Sequence, residues 1–136
     1  MNLVPTTTGA AKATAKALPQ LADIFDGVAV RSPVICGSVA DIVFVARRKV
    51  EVDEINDIFR EEADSDRYRD VLGASDEQMV SSDVIGDDRA SVVDLTMTQV
   101  VGQTLVKVMS WYDNEWGYAA QMVREAKAMA KAPSVA

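Results

Sequence analysis

The stretch SVVDLTMTQVVGQTLVKVMSW, Ser91 to Trp111, decides the fold class. Its residues are mostly β-branched or apolar, and Gly102-Gln103 interrupts them with a two-residue turn signal whose first central position is glycine. It reads as three strands, Ser91 to Leu95, Thr96 to Val101 and Thr104 to Trp111, the last two forming a hairpin. A chain that turns back through two residues pairs antiparallel, because a parallel partner needs a crossover of a dozen residues or more.

Working outward, Ser38 to Ala46 (SVADIVFVA) reads as a further strand. Val39, Val43 and Val45 alternate with Ala40, Ile42 and Phe44, so both faces are apolar apart from Asp41; that pattern predicts an interior strand covered on both sides. Val28 to Arg31 is a shorter strand after the Asp26-Gly27 turn, and short strands are expected near Val71 and from Met79 to Val84. Helices are predicted at Ala10 to Leu18, behind Thr8 and Gly9 in the N-cap region and ended by Pro19. A second runs from Asp53, a plausible N-cap, to Ala63, with Ile55, Ile58 and Phe59 as its buried stripe. A third runs from Gly117 to Ala130, with the stripe Met122, Ala126 and Met129. The expected architecture is α+β: a mixed, mainly antiparallel sheet with helices packed on one face.

The 136 residues suggest one domain with a real core, and 49% apolar with 26% charged residues is ordinary for a globular chain. A net charge of −7, with scattered basic residues, argues against nucleic acid as a partner. The triplet Arg47-Arg48-Lys49 reads as a solvated strand end. No apolar run reaches the ~20 residues that span a bilayer, and Met1-Asn2-Leu3-Val4-Pro5 is not a secretory signal, so the expected setting is cytoplasmic, with no membrane partner. One cysteine and no histidine exclude a disulfide framework and imidazole chemistry and argue against a structural zinc site. No glycine-rich nucleotide cradle is present.

Three places could carry chemistry. Thr6-Thr7-Thr8-Gly9-Ala10-Ala11-Lys12 gathers hydroxyls and backbone N–H groups at a helix start, either as an anion site or as an ordinary threonine cap. Arg31 could complete such a site as a phosphate clamp, or simply face solvent. Ser110 to Tyr118 (SWYDNEWGY) sets four aromatics beside Asp113, Asn114 and Glu115 at a strand-to-helix junction. There the plain reading is a hydrophobic anchor with Asp113 or Asn114 capping the helix; the other is acid–base work by Asp113 and Glu115. Cys36, between strands and without a cationic neighbour to activate it, reads as a small half-buried residue.

These motifs resemble a known family. Asn2 to Ala13 (NLVPTTTGAAKA) and Ser110 to Tyr118 resemble the phosphate-binding helix start and the C-terminal signature of glyceraldehyde-3-phosphate dehydrogenases. Val30 to Pro33, Val80 to Asp83 and Ser91 to Asp94 fall between them in the family's order. The resemblance implies that Thr8 and Gly9 bind inorganic phosphate and that Arg31 helps hold phosphate groups. It implies that Asn114 hydrogen-bonds the nicotinamide carboxamide, and that Tyr112 and Tyr118 line the pocket around that ring. It implies NAD or NADP in the intact enzyme, phosphate and glyceraldehyde 3-phosphate as its ligands, and a homo-oligomer. A sister enzyme acting on erythrose 4-phosphate shares much of the pattern. Ser32, Ala119 and Cys36-Gly37 depart from the family without touching these positions. The family's catalytic cysteine and histidine and most of its NAD-binding domain have no counterpart here. The chain therefore reads as residues 1–136 of a partial catalytic domain, inactive alone, with no catalytic residue of its own. Its 117–136 helix and tail are expected to pack, in the family, on the NAD-binding domain. A non-catalytic, self-associating or partner-binding module is the alternative.

Overall fold

A computed structural model describes residues 1–131. The chain forms two compact units, Met1–Ile35 and a second from Cys36 onward. In the first, β1 (Val4–Thr7) pairs antiparallel with β2 (Val28–Arg31), and α1 (Ala10–Ala17) and a short 3-10 turn (Pro19–Leu21) lie between them in sequence. β2 has the bounds that its apolar run and the preceding Asp26-Gly27 turn predict; the Gly27 N–H donates to the Asp26 carboxylate at 2.8 Å.

The second unit is built on a four-stranded sheet in the order β3–β6–β5–β4, with β3 (Ser38–Val45), β4 (Leu72–Ser75), β5 (Ser91–Val101) and β6 (Leu105–Tyr112). β3 and β5 flank β6 antiparallel, and β4 joins β5 parallel. The sheet is thus mixed and mainly antiparallel, as the hairpin predicts. In the turn, Gly102 and Gln103 both have positive φ, at 58° and 66°. That combination matches the twist of a hairpin. Thr104 closes the turn onto Val101 at 3.3 Å, so β6 begins one residue later than expected.

Ser91 to Val101 is one strand rather than two. An irregularity between Asp94 and Gln99 shifts its register against β6 without ending the strand. Met79 to Val84 is not a strand: Ser81–Val84 forms a 3-10 turn, while the strand near Val71 lies at Leu72–Ser75.

Register assigns the two faces of the sheet, because directly opposed residues share a face. Ile42, Phe44, Val106 and Val108 lie on one face. There α2 (Val52–Asp64) closes the core: Val106 and Val108 pack with Val50 and Ile55, with Ala46, Phe59 and Val100 against them. α2 begins at Val52 with Glu51 at its cap position, and no side chain caps it. Asp53 instead sits in the first turn, where its charge complements the helix dipole. Ile58 is exposed, and Asn56 takes a buried place, donating from Nδ2 to the Leu95 carbonyl at 3.1 Å.

On the other face, Val45, Leu105 and Val101 form one cross-strand row and Val43, Lys107 and Gln99 the next. Lys107 pairs with Asp41 at 2.9 Å on this face. Val45 is 73% exposed, Val101 60% and Val43 57%, so an apolar row meets solvent. This corrects the expectation of an interior β3. β3 is the edge strand, and its two apolar faces lack the cover that the pattern anticipates. α3 (Trp116–Lys131) leaves the end of β6. Its Gln121 donates to the Asp70 and Asp88 carbonyls at 3.2 and 2.7 Å, and Arg124 donates to the Arg69 carbonyl at 2.8 Å. Met122, Ala126 and Met129 are all exposed.

Candidate functional site

In the first unit, α1 starts at Ala10 with Gly9 at its cap position. Thr8 Oγ1 accepts the Ala10 N–H at 3.1 Å, a threonine turn that presents its hydroxyl at the helix start. Nothing lies within 4 Å of where a Gly9 side chain would begin, so its backbone is open to approach. Arg31 is exposed and, among the described residues, is paired with no carboxylate. The antiparallel register sets Arg31 opposite Val4 and Val28 opposite Thr7. Arg31 is therefore three residues along the ribbon from the end nearest Thr8, about 10 Å.

In the second unit, β6 ends at Tyr112 and the chain turns through Asp113-Asn114-Glu115 into α3. The β3–β6 register sets Ser38 opposite Tyr112. That pairing brings the Cys36-Gly37-Ser38 loop against the junction. Asn114 Oδ1 accepts the Gly37 N–H at 3.1 Å and the Ser38 hydroxyl at 3.3 Å. A backbone N–H facing this atom requires an acceptor there, so the oxygen of Asn114 is turned inward. Its amide nitrogen has no partner among the described residues and is left as a donor. Gly37 has φ +89°, and a Cβ there would stand 2.3 Å from the Ser81 carbonyl oxygen, so the loop that receives Asn114 requires glycine.

Asp113 is 3% exposed. Its Oδ1 accepts the Glu115 and Trp116 N–H groups at 2.8 and 2.7 Å, capping α3, and its Oδ2 accepts the Gly86 N–H at 2.8 Å. These backbone donors, Gly86 first, hold its pKa down to about 2. A carboxylate so stabilised does not take protons near neutral pH, which sets aside acid–base work by Asp113 in favour of capping. The Cys36 thiol lies 3.4 Å from Asp113 Oδ1. Burial first, and then the bond to Asp113, push its pKa up, which is the opposite of an activated nucleophile.

Tyr118 stands exposed in the first turn of α3 and Tyr112 half-buried at the end of β6, so the two tyrosines and Asn114 belong to one junction. A groove of about 1120 Å³ runs between α3 and the Gly86–Arg89 turn, with Trp116, Ala119 and Val123 in its wall; Tyr112, Asn114 and Tyr118 do not line it. The docking of Asn114 on Gly37 and Ser38 went unread in the sequence. Its signal lay in the register: once β3 pairs with β6, the residues just before β3 must meet those just after β6.

The family model of the glyceraldehyde 3-phosphate dehydrogenase C-terminal domain matches residues 1–114. The chain belongs to the glyceraldehyde-3-phosphate dehydrogenase family. It is similar to a glyceraldehyde-3-phosphate dehydrogenase of Streptomyces coelicolor, 45% identical over 122 residues, which are 90% of this chain and 36% of that protein. It is 41% identical over 130 residues to one from Zymomonas mobilis, covering 96% of this chain and 39% of that protein. A chloroplastic glyceraldehyde-3-phosphate dehydrogenase A of Chlamydomonas reinhardtii is 42% identical over 131 residues, 96% of this chain and 35% of that protein. The chain thus spans a little over a third of the length of these relatives. Thr8, Gly9, Arg31, Tyr112 and Asn114 lie inside the matched family region; Tyr118 lies beyond it.

The Asp113 carboxylate makes a pH prediction. Its folded pKa lies below its ordinary value of 3.8, so it contributes stability that is fully present above about pH 4 and lost as pH falls through about 2. Glu54, Asp76 and Asp87, also held low by arginine partners, act in the same acid range, so a variant must isolate Asp113. Melting temperature followed from pH 5 to pH 2 should fall more steeply in the native chain than in Asp113→Asn. Parallel curves would show that the carboxylate's charge contributes nothing.

Proposed function

We propose that this chain supplies the phosphate-binding and nicotinamide-facing wall of an NAD(P)-dependent phosphorylating glyceraldehyde-3-phosphate dehydrogenase acting in the cytoplasm. The observation that carries the reading is the seat of Asn114. Its oxygen is held by Gly37 and Ser38, and its amide nitrogen is left as a fixed donor at a junction shared with two tyrosines. A side-chain NH₂ held in this way fits the carbonyl oxygen of a carboxamide, so the residues present suit a nicotinamide ring. The bound dinucleotide would supply the hydride acceptor. Asn114 would fix the ring's rotation and so the face presented to substrate, while Tyr112 and Tyr118 would exclude water beside it. Thr8 and Gly9 would receive phosphate through the hydroxyl and the N–H groups at the start of α1, and Arg31 would add charge-assisted bonds to a phosphate group. The relatives' printed substrate favours glyceraldehyde 3-phosphate over erythrose 4-phosphate.

The chain alone is proposed to be inactive. It has no histidine, and its one thiol is poised against ionisation. Titrating the ¹⁵N-labelled chain with phosphate should shift the amides of residues 7 to 11, and NAD should separately shift the Asn114 side-chain NH₂. Both affinities should be on the order of millimolar or weaker, because only part of each contact set is present. Asn114→Ala should abolish the NAD response and spare the phosphate response. NADH formation from glyceraldehyde 3-phosphate, NAD and phosphate should stay at the heat-killed level. Loss of neither response in Asn114→Ala, or turnover by the chain alone, would contradict the reading.

A second reading, self-association, is favoured by the uncovered row Val45–Leu105–Val101 with Val43 beside it, and by the exposed stripe of α3. Contiguous exposed apolar residues and an open strand edge favour pairing over solvation. The two readings are compatible, since a homo-oligomer would cover this face. Light scattering over a concentration series should give a mass above the 14.7 kDa of one chain, and Val45→Lys should shift it toward the monomer. A monomer at every concentration would set association aside.

A further inference from the structure

Asp113 does more than cap a helix. It joins three segments that are distant in sequence: the β6–α3 junction through Glu115 and Trp116, the turn at Gly86, and the loop at Cys36. Asn114, the next residue, docks on that same loop at Gly37 and Ser38. The two side chains differ sharply in setting. Asp113 is buried, charged and fully engaged, whereas Asn114 is exposed and its contacts are neutral. Exposed neutral bonds compete with water and do not fix a side chain by themselves, while charge-assisted bonds in a buried setting are stronger and hold their geometry. The order in the junction should therefore run from Asp113 to Asn114.

We propose that Asp113 is the positioning residue of Asn114, its two carboxylate oxygens clamping the start of α3 to the Gly86 turn so that Asn114 is set on the Gly37–Ser38 loop. Oδ1 fixes the direction in which the chain leaves β6, and Oδ2 fixes the distance of that chain from the Gly86 turn. Gly37, whose backbone lies against Ser81, provides the rigid seat. The inference rests on the reading of Asn114 as the nicotinamide-facing donor, but the positioning itself requires no ligand.

Two variants separate the clamp from the cap. Asp113→Ser keeps a short side-chain oxygen for the Glu115 and Trp116 N–H groups but does not span to Gly86. Asp113→Asn keeps the shape but sets an NH₂ or a neutral oxygen where Oδ2 accepts from Gly86. Both should keep α3 protected at Ala119 and Ala120. In both, amide exchange at Gly37 should rise on the order of tenfold, and the nuclear Overhauser contacts between Asn114 and Gly37–Ser38 should fade. The reciprocal variant fixes the direction of dependence: Asn114→Ala should leave Gly86 and Trp116 as protected as in the native chain. Unchanged Gly37 exchange and Asn114 contacts in both Asp113 variants would overturn the proposal. So would loss of Gly86 and Trp116 protection in Asn114→Ala. If the Asp113 variants unfold, Asn114→Ala decides, together with the native chain, in which Gly37 must exchange at least as fast as Gly86; a Gly86 that opens while Gly37 stays protected would overturn the proposal. Every readout is made without dinucleotide or phosphate. Failure of Asn114 to respond to NAD would therefore count against the functional reading and leave the positioning result standing.

Discussion

Backbone pairing of β6 with strands on both sides is the interaction from which the rest of the second unit follows. β6 lies between β3 and β5, antiparallel to each, so its N–H and C=O groups are satisfied inside the sheet. Its register decides which residues share a face, and thus that Val106 and Val108 meet α2 while Leu105 does not. It also decides what stands at the strand's end. With Ser38 opposite Tyr112, the loop before β3 and the turn after β6 have to share space, and the polar groups of that turn find partners there.

The same sheet leaves surfaces uncovered. β3 carries the composition of a strand with neighbours on every side, yet it forms the sheet edge, and five of its apolar side chains meet solvent. The row Val45–Leu105–Val101 continues that exposure across three strands. Solvent-facing strand positions ordinarily alternate with polar residues, and this row does not.

Local signals made much of this architecture legible. The Asp26-Gly27 turn and the apolar run after it give β2, and Gly102-Gln103 gives the hairpin. The division of Ser91 to Val101 into two strands failed because an irregularity inside a strand changes pairing without leaving a turn residue in the sequence. Met79 to Val84 misled because Val and Met signal burial as readily as they signal strand; Val84 is fully buried, but in a 3-10 turn. Ile58 meets solvent where the apolar spacing expects burial, and Asn56 is buried with its Nδ2 donating to the Leu95 carbonyl, a partner that only tertiary structure supplies. At the site, the SWYDNEWGY segment announced itself, and capping by Asp113 was among its readings. The partners Gly86, Gly37 and Ser38 lie 27 to 77 residues away, and no local pattern points to them.

The central claim is that the junction bearing Asn114 is already built within the isolated chain. Native-state hydrogen exchange tests it most directly, comparing the Gly37, Gly86 and Trp116 amides with those of Val106 and Val108 in the core of the sheet. The account predicts that the three junction amides are protected well above the level of exposed turns, with Gly37 exchanging no more slowly than Gly86 and Trp116, all at or below the stability of the core strands. Exchange of these amides at the rate of an unstructured peptide, with Val106 and Val108 still protected, would mean that the seat of Asn114 does not form within this chain.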